Sequence, residues 1–137
     1  MKIDCFLDTN ILIYAALGRG PYETKRTIAH ELVVNTRFGI STQVLQEFYA
    51  NVTRKTEVPL TPAEALEWID ELELQACATV DKTLIRVAIE ISERYRINYW
   101  DGAILAAAER LGAEIVYTED LSHGQTYGPV RVVNPFL

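Results

Sequence analysis

Residues 2–14 read KIDCFLDTNILIY, an apolar run that stops abruptly at Asp8-Thr9-Asn10 before a second apolar run begins at once. A short run of this kind (Ile3, Cys5, Phe6, Leu7) suits a buried strand of a parallel sheet, whose side chains need not alternate with polar ones. In open α/β sheets, ligands bind beyond the carboxyl ends of the strands. A carboxylate, a hydroxyl and an amide therefore stand together where such a sheet does its chemistry. The same residues also suit a simpler role, since Asp8 or Asn10 can cap the helix that follows. Position alone leaves both roles open.

The rest of the chain alternates in the same manner. Residues 11–16 begin a helix that Gly18-Arg19-Gly20-Pro21 breaks, and residues 22–35 carry Ile28, Ala29, Leu32 and Val33 at helical spacing. Residues 38–41 predict a short strand. Ser41 or Thr42 then caps a helix to about residue 53, with Val44, Leu45, Phe48, Tyr49 and Val52 on its buried stripe. Thr61-Pro62-Ala63-Glu64 combines a capping box with proline at the first helical position, so a helix starts there. Residues 75–80 predict a strand, Asp81 caps a helix to about residue 94, and residues 99–111 form a helix closed by Gly112. A strand over 113–117, a polar loop over 118–128 and a β-branched strand over 130–133 complete the pattern. Strands alternating with helices predict an α/β fold with a mainly parallel sheet covered on both faces.

At 137 residues, with no linker, repeat or low-complexity segment, the chain predicts one domain over 1–137. No apolar stretch approaches a bilayer span, and Asp4 and Asp8 interrupt any signal-peptide core, which predicts a cytoplasmic protein without a membrane partner. Cys5 and Cys77 stand far apart in apolar surroundings and read as reduced core cysteines. The net charge of −6 argues against a broad electrostatic grip on nucleic acid. It is unevenly spread: seven acids and no Lys or Arg fall within residues 57–81, whereas Arg19, Lys25 and Arg26, and Arg54 and Lys55, form small basic groups.

Three more acids carry the functional argument. Glu47 lies beside the apolar stripe of its helix, with Gln43 and Asn51 as neighbours at helical spacing; alone it reads as a surface glutamate. Asp101 falls in WDGAILAAA, a segment apolar on every side, where an ionised carboxylate is costly unless paired, hydrogen-bonded or bound to a metal. Asn98, just before that run, is the more natural helix cap. Asp120 follows the strand over 113–117 in YTED, so a second strand delivers a hydroxyl and a carboxylate at its carboxyl end. Asp8 and Asp120 are thus predicted on the same edge of the sheet by independent local readings. Carboxylates without a Cys or His cluster are what Mg²⁺ or Mn²⁺ selects, bound through oxygen. His30 and His123 read as surface or structural residues, and no Walker, GxGxxG or GxSxG motif occurs.

With these four positions in place, the chain resembles the PIN-domain family of metal-dependent ribonucleases, and particularly VapC-type toxins of toxin–antitoxin pairs. The matching stretches are FLDTNILIY, LQEFY around Glu47, YWDGAILAAA around Asp101 and YTEDLSHGQ around Asp120, in an order that covers nearly the whole chain. The resemblance implies a three-layer α/β/α sandwich and an acidic site for one or two Mg²⁺ or Mn²⁺ ions. It assigns Asp8, Glu47, Asp101 and Asp120 as catalytic metal ligands, with Thr9, Asn10 and Thr118 as supporting polar groups. It further implies an endoribonuclease that leaves a 5′-phosphate and a 3′-hydroxyl, forms a homodimer and is inhibited by a small antitoxin protein. One departure stands out: Glu119 occupies a position where many such toxins carry a basic residue, which raises the question of whether Glu119 joins the metal site.

Two other readings fit parts of the sequence. A phosphohydrolase or phosphoacceptor would use Asp8 as nucleophile, but the second Asp that a haloacid-dehalogenase-like enzyme wants is Asn10 here. A receiver domain would want a paired acid before Asp8 and a late lysine, and neither occurs. The other rival is a PIN-fold module that binds RNA or protein without cutting.

Overall fold

The computed structural model describes residues 2–54 and 56–137; Lys55, half of the second basic pair, lies outside them. The first strand, β1 (Cys5–Leu7), is buried along its whole length and runs straight into helix α1 (Thr9–Leu17). A 3-10 turn (Gly20–Tyr22) follows, then α2 (Glu23–Asn35), β2 (Phe38–Ser41) and α3 (Thr42–Val52). The second half comprises α4 (Pro62–Leu72), β3 (Ala76–Ala78), α5 (Lys82–Tyr95), α6 (Tyr99–Arg110), β4 (Ile115–Tyr117), β5 (Thr126–Tyr127) and β6 (Val130–Val133).

The strands form one sheet in the order β3-β2-β1-β4-β6-β5, parallel except for β5. The chain builds outward from β1 to β2 and β3, then returns to lay β4 on the other side of β1. That reversal makes the gap between β1 and β4 the switch point at which such sheets open a crevice. Helices α1 to α4 pack as a series of neighbours, while α5 and α6 pack on each other and α6 lies against β2, β3, β4 and β6. The architecture is the expected α/β/α sandwich. Among the described residues, no helix is long and apolar enough to cross a membrane.

Local chemistry accounts for most boundaries. Thr61 and Glu64 form the full capping box at the start of α4, through bonds of 3.1 and 2.9 Å. Ser41, Asp81 and Asn98 cap α3, α5 and α6. Three details differ from the sequence reading, the first being Tyr49, expected on the buried stripe of α3 but 40% exposed. Helix α1 starts at Thr9 rather than Ile11, because Asp8 already caps it by accepting from Thr9 N over 2.7 Å. The loop expected over 118–128 contains β5, which folds back on β6 through a turn where Gly128 has φ of 59°. Two residues are too few for an alternation signal, so only the partner strand reveals it.

Helix α6 is buried over residues 102–108, as its all-round apolarity predicts. Gly102 permits this closeness: a Cβ there would stand 2.7 Å from the Ala88 carbonyl oxygen of α5. The pairing of α5 with α6 therefore fixes how far the first turn of α6 reaches toward the sheet edge.

Candidate active site

The register of β1 on β4 builds the centre of the site. Leu7 pairs with Tyr117, and Asp8 N donates to the Tyr117 carbonyl over 3.1 Å, so Asp8 and Thr118 leave the sheet side by side. The Thr118 hydroxyl, fully buried, donates to Asp8 Oδ2 at 2.8 Å. It also accepts from Asn10 Nδ2 at 3.0 Å and from Asp120 N at 3.1 Å. Those two partners can only donate, so the hydroxyl proton has one place to go. The Asn10 amide also reaches Asp120 Oδ2 at 3.1 Å and, more weakly, Asp8 Oδ2 at 3.4 Å.

Two helices deliver the remaining acids. Glu47, half-buried on α3, accepts from the Thr9 hydroxyl over 2.7 Å, which links α3 to the start of α1. Asp101 sits in the first turn of α6, where the helix dipole favours a carboxylate. Its Oδ2 accepts from Asn98 Nδ2 at 2.8 Å, and its own N–H donates to Asn98 Oδ1 at 2.9 Å. Asn98 is the cap, which leaves the Asp101 carboxylate on the cleft wall.

Asp8, Glu47, Asp101 and Asp120 all line one cleft of about 210 Å³. Thr9, Asn10, Gln43, Asn51, Ile13, Ile104 and Trp100 complete the wall, and no Lys, Arg or His is among the described lining residues. Burial pushes the Asp8 carboxyl up to about 7, against the hydrogen bonds from Thr118 and Thr9; the charges of Asp120 and Glu47 push the same way. Burial also raises Asp101, assisted by Asp120 and Glu47 and opposed by Asn98. Acidic groups are thus concentrated in a pocket whose described residues include no basic side chain to balance them.

That environment fits a hard divalent cation in donor type, since carboxylate oxygens are backed by an amide and hydroxyls. As the side chains are oriented, however, no three Asp, Glu, His or Cys groups among the described residues stand close enough to hold an ion between them. Each carboxylate is turned onto a neighbouring donor, and the Asn10 amide lies between Asp8 and Asp120. The fit is one of chemistry and not of present spacing.

Glu119 is placed differently from the four acids. Its carboxylate accepts from the Tyr14 hydroxyl at 2.7 Å and pairs with Lys25 at 2.9 Å, and it does not line the cleft. Lys25 also lies over the rings of Tyr14 and Phe136, 4.9 and 5.2 Å from their centroids. One of the basic residues noted in the sequence is therefore committed to Glu119. His30 is exposed, and His123 Nδ1 accepts from Asn134 N.

The sequence reading placed Gln43 beside Glu47 but gave it no task. Gln43 Nε2 donates to the Trp100 carbonyl at 3.3 Å, tying α3 to α6 one residue before Asp101. A carbonyl only accepts, so the amide must face this way round, and Gln43 Oε1 is left buried without a hydrogen-bond partner. An unpaired buried acceptor costs about 1–3 kcal/mol. No local sequence signal announces a bond of this kind, because it spans 57 residues.

The sequence pattern of the PIN domain matches residues 5–128. The chain belongs to the PIN-domain family. Solved structures share its fold at low sequence identity. A toxin–antitoxin complex from Klebsiella pneumoniae is 18% identical with a TM-score of 0.72, over 96% of this chain and 98% of that one. VapC20 of Mycobacterium tuberculosis, a toxin that cleaves the sarcin-ricin loop, is 18% identical with a TM-score of 0.66, over 85% and 90%. A DNA-bound VapBC from Salmonella typhimurium is 21% identical with a TM-score of 0.66, over 96% and 97%. A search of curated proteins found no match.

Proposed function

We propose that this PIN-domain protein is a Mg²⁺- or Mn²⁺-dependent endoribonuclease and the toxin of a toxin–antitoxin pair, acting in the cytoplasm as one domain over residues 1–137. One observation carries the reading: four carboxylates from two strand ends and two helices line a single cleft, with no cation among the described residues of its wall. Asp8, Glu47, Asp101 and Asp120 are the proposed metal ligands. Structural relatives described as toxins, one of them as cleaving the sarcin-ricin loop and one in a toxin–antitoxin complex, support the reading of RNA as the polymer and an antitoxin as the partner.

Asp8, Glu47, Asp101 and Asp120 would hold the divalent ion, which would supply Lewis acidity to a water and offset charge developing on the scissile phosphate. The protein's part is orientation. Thr118 and Asn10 hold Asp8 and Asp120 at the cleft edge and Thr9 holds Glu47, and the carboxylates would turn from these donors to take the ion. Hydrolysis in line leaves a 5′-phosphate and a 3′-hydroxyl, with no covalent protein intermediate. The homodimer implied by the resemblance is part of the same proposal.

The test compares cleavage of defined RNAs by the wild type and Asp101→Asn, with Mn²⁺ or with EDTA. Cutting that needs the ion and is lost in the variant supports the reading. Saturable RNA binding without cutting, by wild type freed of any inhibitor, would establish the non-catalytic binding module instead.

A further inference from the structure

Trp100 is 63% exposed, although the seven residues 102–108 that follow in the same helix are buried. It lines the acidic cleft next to Asp101. Its ring is braced edge-to-face by Tyr99, with centroids 5.0 Å apart and planes at 80°. Its backbone is held to α3 by Gln43. A large apolar side chain left in water, yet held at both ring and backbone, is a surface prepared for contact.

We infer that Trp100 is a stacking platform for an unpaired base of the RNA substrate beside the scissile phosphate, an assignment that rests on the ribonuclease reading of the same cleft. The cleft's charge decides the nature of the partner. Four carboxylates and no described cation in the wall give a phosphate backbone no electrostatic grip, and the chain's net charge of −6 gives none at long range. Affinity beyond the ion must then come from neutral contacts. Every base offers a π-face to an indole, and single-stranded RNA is commonly held by such stacking. The Asn51 and Gln43 side chains in the same wall add amides near the platform. A base inside a duplex has no free face, so the site requires single-stranded or looped RNA.

The experiment uses a Trp68→Phe background, in which Trp100 is the only tryptophan. Ca²⁺ replaces Mg²⁺ so that binding is read without cutting. A short single-stranded RNA of mixed sequence is expected to quench Trp100 fluorescence saturably, and the same strand annealed to its complement to quench far less. Trp100→Ala should weaken binding about 5- to 150-fold, the span of one lost stacking contact, with Trp100→Phe recovering most of it. In Mg²⁺, the Ala variant should show its defect mainly in KM.

Trp100→Ala that binds RNA like wild type, and cuts with unchanged KM, overturns the platform while leaving the ribonuclease reading intact. A defect confined to self-association in sedimentation, or to binding a protein inhibitor, overturns it as well and assigns Trp100 to a protein interface. Quenching of Trp100 in the Trp68→Phe protein, when neither it nor wild type cuts RNA, overturns the ribonuclease reading and with it the placing of the base beside a scissile phosphate.

Discussion

Thr118 donates its hydroxyl proton to Asp8 over 2.8 Å, joining residues 110 positions apart across the β1–β4 gap. Because its two acceptor positions are filled by Asn10 and Asp120, this hydroxyl sets the spacing of three cleft residues at once.

Replacing Thr118 should therefore cost more than one ordinary hydrogen bond. Thr118→Val keeps the volume but leaves Asp8, Asn10 and the Asp120 N–H short of a partner, a loss of about 1–3 kcal/mol in chemical denaturation. Thr118→Ser keeps the hydroxyl and should recover most of that stability and the RNA cleavage. A Val variant as stable and active as wild type would remove Thr118 from the site's framework.

The raised Asp8 pKa has an unusual sign for a carboxylate. The folded state holds a proton to about 7, whereas the unfolded chain releases it near 3.8. Between those values the native state binds more protons, so metal-free stability falls as pH rises through that window and levels off above it. The span corresponds to about 4 kcal/mol. Asp8→Asn, whose single oxygen can serve Thr9 N or the Thr118 hydroxyl but not both, should flatten this slope in EDTA. A metal-free wild type whose stability is flat from pH 4 to 7 would contradict the buried-acid account.

Divalent ions should reverse that burden. At about 100 times its Kd, Mg²⁺ or Mn²⁺ should stabilise the protein by about 2.7 kcal/mol, and EDTA should remove the gain. Below about pH 7 the ion must displace the Asp8 proton, so apparent affinity should fall about tenfold per pH unit. Calorimetry at pH 6 in buffers of different ionisation enthalpy should report proton release that diminishes by pH 8. Stabilisation by the ion that survives unchanged in Asp101→Asn would exclude Asp101 from the binding set.

The Lys25–Glu119 pair separates a structural acid from the proposed ligands. Both side chains are partly exposed, at 35% and 24%, so Glu119→Gln should cost no more than about 1 kcal/mol. It should leave divalent-ion affinity unchanged within error. A marked loss of ion binding in this variant would bring Glu119 into the metal site and displace the pairing seen with Tyr14 and Lys25.

Local sequence carried much of this. The apolar run before Asp8, the Thr61–Glu64 box and the all-round apolarity of residues 102–108 each express a rule acting within a few residues, and each reappears in the structure. The common edge of Asp8 and Asp120 followed from two strand ends read separately, whereas Glu47 alone read as a surface glutamate. What local reading could not supply were relations set by packing: the antiparallel return of Thr126–Tyr127, the Gln43 anchor on Trp100, and the turn of Glu119 onto Tyr14 and Lys25. Asp8 posed a different difficulty. Capping and chemistry had been set against each other, but the carboxylate caps α1 with one oxygen and faces Thr118 with the other.

Because the cleft joins the end of β1 to the end of β4, the order of synthesis decides when it can form. Asp8 emerges early, but its partner Thr118 is added 110 residues later, roughly 5–20 s at ordinary rates of translation. Until then the growing chain lacks both Thr118 and Asp120. A nascent chain therefore carries an incomplete cleft for most of its elongation, and the site can close only once the last fifth of the chain has been made.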